Sequence, residues 1–247
     1  NLKDFRDPNI IYHGPSKQFV MTVVKPWEYT AQFYGSKDLI HWSLLSEFGP
    51  QGDVDMIWEC PSLLELPVEN SKEKKWVLAL SSQGPYKKAV GMQYFVGDFD
   101  GKKFTTNQKE TKWVDYGTDN YAGVTWSNIP DSDGRKLFVG WMSNWEYANK
   151  VPTKNWRSAT TIPRELKLLN TDGHYRIVSQ PVKELDKYIS KTIKKELLTI
   201  DKTTVIVDKN TVDMARLDIR FTMNGLVEDQ YDFVLSNTAN NAIHFGI

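Results

Sequence analysis

Hydrophobic positions in the first 180 residues form short runs of β-branched and aromatic residues, each followed by turn-forming residues. Such runs, when about four to eight residues long, are typical of β-strands. The predicted strands span 18–24, 30–34, 75–80, 90–96 and 136–142. The sequences between them are rich in Gly, Pro, Asp and Ser, which favour tight turns. Since no convincing amphipathic helix interrupts the runs, this part of the chain is predicted to be an all-β domain.

A repeat is visible in the acidic residues that precede the strands. Asp7, Glu59 and Asp119 each stand at the start of a strand-like run, 52 and 60 residues apart, with roughly four strands in each interval. That interval matches the blade of a β-propeller, in which four antiparallel strands form a blade and the innermost strand lines a central channel. In such a fold the three acids would point into one axial funnel. A β-sandwich with longer hairpins is the alternative.

The composition changes near residue 181. Residues 181–188 begin with Pro and carry several charges, which predicts a short helix or a linker. Four strand-like runs follow, at 195–200, 213–223, 231–236 and 242–247. The run 213–223 alternates apolar and polar positions, as a half-buried strand of an antiparallel sheet does. We therefore expect a first domain at 1–180, a linker at 181–194 and the start of a second β domain at 195–247.

The charges of the chain balance, with 31 Lys and Arg residues against 31 Asp and Glu residues. This balance gives no electrostatic basis for binding nucleic acid or an anionic membrane surface, so the sequence predicts a neutral partner. Aromatic residues make up 13% of the chain. Most of them are expected to pack between strands, but aromatic faces also suit the apolar C–H faces of sugars.

Cys60 is the only cysteine of the chain, which excludes an internal disulfide and a cysteine-based metal cage. The four histidines show no ligand spacing, so neither a metal site nor a cofactor is expected. No stretch of about 18 apolar residues predicts a membrane span. The sequence leaves the oligomeric state open.

Two short segments suggest acid-catalysed chemistry on a neutral substrate. In Phe5-Arg6-Asp7-Pro8 and in Trp58-Glu59-Cys60-Pro61, one carboxylate stands close to an aromatic residue and a proline at the start of an apolar run. A carboxyl group in this position is partly desolvated, and desolvation favours the protonated form, which can donate a proton. Solvent-exposed acids in front of ordinary strands are the alternative interpretation.

These segments resemble motifs of glycoside hydrolase family 32, the family of invertases, inulinases and levanases. Phe5–Pro8 resembles its RDP motif, and Trp58–Pro61 resembles its EC motif. Further similar segments follow in the family's order at 93–101, 115–122, 140–148, 151–159 and 163–166. Either short motif alone would be common by chance, but the ordered set across residues 5–166 is highly specific.

The resemblance implies a five-bladed β-propeller followed by a β-sandwich. About the last three blades would lie in residues 1–180, and the sandwich would start in 195–247. The resemblance also implies a retaining glycosidase that cleaves β-fructofuranosyl bonds of sucrose, inulin or levan by double displacement. Glu59 would be the general acid/base that protonates the leaving oxygen and then activates water. Asp7 would stabilise the transition state by accepting hydrogen bonds from fructosyl hydroxyls.

The same resemblance implies further substrate-binding residues. Arg6 would orient carboxylates and sugar hydroxyls, although a structural ion pair is the alternative. Cys60 would be a neutral neighbour of the acid rather than a nucleophile. Trp145, the second Trp of a W-x-x-N-W segment, would form a floor for the fructosyl ring. Additional candidates in segments that face the funnel are Gln83, Asp119 and Tyr121.

One family motif is missing from the sequence. Family members carry a W-x-N-D-P-N-G segment whose Asp is the nucleophile, and this chain has none. We therefore expect the 247 residues alone to have no fructosidase activity. A fructosyltransferase would need the same carboxylates, and a propeller without the nucleophile could bind fructan without cleaving it, so both alternatives stay open. Polymeric fructan as the substrate would favour a secreted or periplasmic protein by analogy.

Overall fold

The computed structural model describes the chain at residues 4–196, 198–200, 202–207, 216–228, 230–237, 239 and 241–246. Within these residues β-strands dominate, and the helical elements are two short 3₁₀ helices at Pro26–Glu28 and Lys183–Tyr188. The prediction of an all-β protein is confirmed. The second 3₁₀ helix falls in the segment predicted as a short helix or linker. The chain divides into two compact units, Asn1–Ser190 and Lys191–Ile247.

The first unit contains three antiparallel sheets that follow one another along the chain. The strands of the first sheet are β1 (Asn9–His13), β2 (Gln18–Lys25), β3 (Thr30–Ser36) and β4 (Ser43–Phe48), in the order β1-β2-β3-β4. Each strand pairs with its neighbour in sequence, as short connections between antiparallel strands allow. The turn between β1 and β2 is closed by the Lys17 N–H, which donates to the Gly14 C=O at 3.1 Å.

The second sheet packs against both of its neighbours. Its strands are β5 (Glu59–Pro67), β6 (Lys74–Gln83), β7 (Val90–Phe99), β8 (Phe104–Thr105) and β9 (Lys112–Trp113). β5, β6 and β7 pair in sequence order, and both β8 and β9 pair with β7. Because both faces of the sheet are covered, β7 is an almost continuous run of buried residues instead of an alternating one.

The third sheet is a further antiparallel meander. Its strands are β10 (Tyr121–Thr125), β11 (Leu137–Trp141), β12 (Arg164–Thr171) and β13 (His174–Pro181), in the order β10-β11-β12-β13. The last two strands form a long hairpin whose turn contains Asp172 and Gly173. Both turn residues have positive φ, which a tight two-residue hairpin turn requires.

Two apolar clusters join the three sheets. The first lies between the first and second sheets and contains Val20, Val24, Ala31, Phe33, Trp58, Leu63, Leu78, Leu80, Phe95, Phe99 and Phe104. The second lies between the second and third sheets and contains Leu64, Leu66, Val68, Val77, Ala79, Met92, Tyr94, Val96, Phe138, Leu166 and Leu168. β5 contacts both β1 and β10, so the first strands of the three sheets lie side by side. The predicted repeat is therefore present as three successive sheets, each beginning close to one of the three acids.

The second unit contains one antiparallel hairpin among its described residues, β14 (Asp232–Ser236) paired with β15 (Ala242–Gly246). These strands confirm the two runs predicted nearest the C-terminus, of which residue 247 lies outside the described residues. The run 195–200 forms no strand at its described residues. The predicted strand 213–223 lies partly outside the described residues, and at 216–223 the prediction is wrong. Alternating polarity gives a segment two faces, but a stable strand also needs a neighbouring strand, and none of the strand pairs in the described part of the chain includes 216–223.

Neither 3₁₀ helix of the described residues has the length or the apolar composition of a membrane-crossing helix. In the same part of the chain, no group of three or more His, Cys, Asp or Glu side chains is arranged to hold a metal ion. The buried His13 ring instead hydrogen-bonds to Ser16 Oγ at 2.6 Å.

Leu80→Ala is expected to lower the free energy of unfolding by about 2–5 kcal/mol, because Leu80 is fully buried in the first cluster and its truncation leaves a cavity. Leu169→Ala in β12 is the matched control, since Leu169 is 41% exposed. This control should lower the free energy of unfolding by less than about 1 kcal/mol. Urea denaturation followed by tryptophan fluorescence measures both losses. Equal losses for the two variants would contradict the assigned core.

Candidate active site

The carboxyl groups of Asp7 and Glu59 face the same cation. Asp7 stands two residues before β1, and Glu59 opens β5, which contacts β1. The Arg6 guanidinium hydrogen-bonds to Glu59 Oε1, and Arg6 Nε lies 3.9 Å from Asp7 Oδ2. The two acids predicted from the sequence therefore converge on one positively charged neighbour.

The backbone beside both acids adopts a left-handed conformation that residues with side chains rarely take. φ is 61° at Asp7 and 45° at Cys60, and each such residue costs about 1–3 kcal/mol. The pairing of β5 with β6 shifts between Glu59 and Ser62, so Cys60 lies in a β-bulge. In this bulge the Cys60 N–H donates to Asp7 Oδ2 at 3.2 Å, and the Cys60 thiol lies 3.6 Å from the same oxygen. The bulge therefore ties the two acidic segments together.

Both oxygens of the Glu59 carboxyl group have a hydrogen-bond donor. Arg6 donates to Oε1, and the hydroxyl of Tyr121, a residue only 2% exposed, donates to Oε2. The backbone at Tyr121 is fixed by Ser81, which pairs with Glu59 across the sheet and whose Oγ accepts the Ala122 N–H at 3.0 Å. The Glu59 side chain is 14% exposed, so it is largely enclosed and still reachable from solvent.

We call the residues around these two carboxyl groups the acid cluster: Arg6, Asp7, Glu59, Cys60 and Tyr121. Burial, the hydrogen bond to Glu59 and the negative charge of Glu59 raise the pKa of Tyr121, so its hydroxyl stays protonated. Burial lowers the pKa of Arg6, but the hydrogen bond to Glu59 and the nearby carboxylates outweigh it, and the net shift in pKa is upward. Burial and the adjacent Asp7 raise the pKa of Cys60 to about 12. The cation is therefore permanent, and the thiol is neutral near pH 7.

An exposed aromatic surface adjoins Tyr121. Trp145 is 60% exposed, and its ring centroid lies 6.4 Å from that of Tyr121 and 4.7 Å from that of Trp141. Trp141 ends β11, which pairs with β10, and Tyr121 opens β10. The predicted floor residue therefore lies in the turn after β11, next to the acid cluster, and is largely exposed.

Gln83 and Asp119 form a separate group beside Val90 at the start of β7. Gln83 pairs with Val90, which also forms a parallel bridge with Asp119. The Tyr147 hydroxyl donates to Asp119 Oδ2, while Asp119 Oδ1 is buried without a hydrogen bond in the described part of the chain. The Gln83 amide donates to the Tyr86 C=O at 3.4 Å. These two candidates are therefore held by other contacts than those of the acid cluster.

Two residues outside the list of predicted site residues shape the acid cluster. Ser81 is fully buried and holds β10 against β6; its signal in the sequence is a serine directly after an apolar run. Trp58, the aromatic neighbour of Glu59 in the motif, lies in the core, with ring contacts to Tyr29 and Phe95. Trp58 therefore anchors the acidic segment to the apolar core.

Cys60 is expected to react with iodoacetamide at pH 9 at least ~100-fold more slowly in the folded chain than in the urea-unfolded chain, because the thiolate is the reactive form. The pKa of Cys60 rises from the ordinary 9.0 to about 12 on folding, so about half of the unfolded thiols but very few of the folded ones are ionised at this pH. Mass spectrometry of the alkylated protein gives both rates. A folded-state rate within about threefold of the unfolded rate would contradict the assigned surroundings of the thiol.

Known proteins resemble the chain along most of its first unit. The family model described as the glycosyl hydrolases family 32 N-terminal domain matches residues 1–181. The levanase of Bacillus subtilis (strain 168) is 49% identical over 203 residues, which make up 80% of this chain and 30% of the levanase.

Solved structures agree with this likeness. The exo-inulinase from Aspergillus awamori superposes with a TM-score of 0.67 and 35% identity, over 72% of this chain and 36% of the inulinase. The fructofuranosidase from Schwanniomyces occidentalis in complex with fructose gives a TM-score of 0.66 and 38% identity, over 72% of this chain and 35% of the fructofuranosidase. The matched part thus spans about a third of the length of each relative. From the family model and these identities together, the chain belongs to glycosyl hydrolase family 32.

Proposed function

We propose that the chain supplies the acid/base part of an active site that hydrolyses β-fructofuranosyl bonds of sucrose or fructans. The observation that carries this proposal is the Glu59 carboxyl group, held between Arg6 and Tyr121 and largely enclosed. A carboxyl group with a fixed orientation and restricted access for water suits proton transfer to a glycosidic oxygen. Among fructose-containing substrates we propose levan, because a levanase shares 49% identity with the chain.

In the proposed reaction Glu59 acts first as an acid and then as a base. Its proton passes to the glycosidic oxygen while the bond from that oxygen to the anomeric carbon breaks, and a carboxylate nucleophile captures the fructosyl group. Water then gives a proton to Glu59 and attacks the same carbon, which releases fructose and restores both carboxyl groups. The sequence has no W-x-N-D-P-N-G motif, so the proposal assigns the nucleophile to residues other than these 247.

The other members of the acid cluster have electrostatic and orienting roles in this proposal. Arg6 and Tyr121 keep both Glu59 oxygens in place. Asp7, fixed through Oδ2 by the Cys60 N–H, accepts hydrogen bonds from fructosyl hydroxyls. Because the fructosyl ring gains positive charge in the transition state, an oriented carboxylate stabilises that state more than the ground state. Cys60 contributes its backbone N–H and a neutral side chain.

Three further residues are proposed to bind the substrate. The Trp145 indole, which is 60% exposed, suits the C–H face of the fructosyl ring. Gln83 and Asp119 both neighbour Val90 at the start of β7. We propose that both contact the substrate.

The proposed architecture is a five-bladed propeller followed by a β-sandwich. Residues 1–180 would form three of the blades, 181–194 the linker and 195–247 the start of the sandwich. Three successive antiparallel sheets of the first unit, with β5 in contact with β1 and β10, support the assignment of blades. The hairpin of β14 and β15 supports an antiparallel second domain.

Glu59→Gln in the full natural protein is expected to lower kcat for levan hydrolysis by about 10²–10⁴-fold, because glutamine cannot donate the proton. Glu65→Gln on the same strand is the matched control, since Glu65 forms a partly exposed ion pair with Lys74 at 3.1 Å. This control should keep kcat within about twofold. Released fructose, measured over time, gives the rates. Full activity of Glu59→Gln would remove Glu59 from the proposed reaction.

Trp145→Ala is expected to raise the Kd of a fructo-oligosaccharide about 3- to 10-fold, because a stacking surface for the ring is lost. Its Tm should change little, since the indole is 60% exposed. Trp156→Ala is the control, because Trp156 is equally open at 65% exposure and has no ring contact with Tyr121 or Trp141 among the described contacts. Isothermal titration calorimetry on the full natural protein measures binding. Equal Kd values for the two variants would argue against the proposed floor.

A further inference from the structure

The position of Glu59 depends on the loop that leads into it. Residues 51–58 contain no strand, so no ladder of backbone hydrogen bonds fixes them. Polar backbone groups in such a loop need other partners wherever water is excluded. The partners of this loop include buried side chains of the second sheet and of the loop itself.

Gln93 on β7 holds the middle of this loop. Its side chain is fully buried. The amide Nε2 donates to the Asp53 C=O at 2.8 Å, and Oε1 accepts the Asp53 N–H at 2.9 Å. Nε2 also lies 3.3 Å from Ser82 Oγ. One side-chain amide therefore bonds both the N–H and the C=O of Asp53, which in a sheet would bond to a neighbouring strand.

The same carbonyl group links the loop to Trp58. Trp58 Nε1 donates to the Asp53 C=O at 2.7 Å, and the Trp58 N–H donates to the Pro26 C=O at 3.2 Å. Trp58 is fully buried and directly precedes Glu59. The contacts thus run without a gap from Gln93 through Asp53 and Trp58 to the backbone of Glu59.

Gly52 shows how closely the loop approaches this amide. A Cβ atom at Gly52 would lie 2.3 Å from Gln93 Oε1 and 2.8 Å from Phe95 Cζ. φ at Gly52 is 75°, in the left-handed region where glycine is favoured. The loop therefore has a glycine where it passes over the amide.

We propose that Gln93 is a positioning residue for Glu59, acting through Asp53 and Trp58. Its catalytic consequence rests on the proposed function, since it matters only if Glu59 transfers the proton. Without the amide, the Asp53 N–H loses its buried acceptor and the Asp53 C=O keeps only the Trp58 Nε1 donor, so the loop opens. The Glu59 carboxyl group then moves out of hydrogen-bonding distance of Arg6 and Tyr121.

Cys60 provides a readout of this proposal that needs no turnover, because it is the only thiol of the chain and adjoins Glu59. Gln93→Met keeps an unbranched side chain of similar length and removes both hydrogen-bonding groups. It should raise the rate of Cys60 alkylation at pH 9 by about tenfold or more, because two buried hydrogen bonds hold the loop closed. An unchanged rate in a folded Gln93→Met variant would overturn the proposal.

Gln32→Met on β3 is the matched control for the loss of a buried amide. Gln32 is 6% exposed, donates to Glu47 Oε1 at 2.6 Å and accepts the Tyr34 hydroxyl at 3.1 Å. Both variants should lower the Tm, but Gln32→Met should keep the alkylation rate within about twofold. Equal acceleration in both variants would mean that general destabilisation, and not the loop, exposes the thiol, and would overturn the proposal.

Hydrogen exchange of the unsubstituted chain tests the same contact if Gln93→Met does not fold. The Asp53 amide should exchange at least ~100-fold more slowly than in the unfolded chain, because its N–H bonds to a buried oxygen. Exchange of this amide at the unfolded rate would overturn the proposal. Gly52→Ala, which crowds the amide from the loop side, should accelerate both the exchange of Asp53 and the alkylation of Cys60.

Turnover separates this proposal from the proposed function. In the full natural protein, Gln93→Met should lower kcat for levan by about tenfold or more with KM within about twofold, while Gln32→Met keeps both constants near those of the unsubstituted protein. An unchanged kcat in Gln93→Met would overturn the positioning role. If the unsubstituted protein hydrolyses neither levan nor sucrose, the proposed function fails, whereas the alkylation and exchange rates still decide whether Gln93 holds the Glu59 segment.

Discussion

The candidate site depends on the hydrogen bonds that hold both oxygens of Glu59. Neither donor belongs to the sheet that carries this residue, because Arg6 precedes the first sheet and Tyr121 opens the third. A single ion pair at a protein surface contributes little free energy. Here the pair matters for geometry: the carboxyl group has its full set of partners only when all three sheets keep their relative positions.

The two apolar clusters set those positions. The first cluster joins the first sheet, which follows Arg6, to the second sheet, which carries Glu59. The second cluster joins the second sheet to the third sheet, which carries Tyr121. Local backbone strain at Asp7 and Cys60 is held by the same arrangement, since the N–H of one bonds to the carboxylate of the other. Strained backbone persists only where its surroundings over-determine it. The geometry of the candidate site therefore depends on the packing of the core of the first unit.

Local signals in the sequence account for much of this structure. Short motifs singled out Asp7 and Glu59, and apolar runs located five strands of the first unit: β2, β3, β6, β7 and β11. The bonds of Tyr121 and Gln93 could not be predicted, because each depends on which segment lies opposite in space, and residue spacing does not encode that. The strand predicted at 213–223 is wrong at its described residues 216–223 for a related reason, since alternating polarity does not specify a pairing partner.

The surroundings of the Cys60 thiol affect its resistance to oxidation and disulfide exchange. Peroxide and disulfide exchange both act on thiols through the thiolate. With a pKa of about 12, only about one such group in 10⁵ is ionised at pH 7, and the neighbouring Asp7 carboxylate opposes further negative charge. The lone thiol beside the Asp7 and Glu59 carboxyl groups is thereby slow to oxidise, although no second cysteine is present to form a disulfide with it.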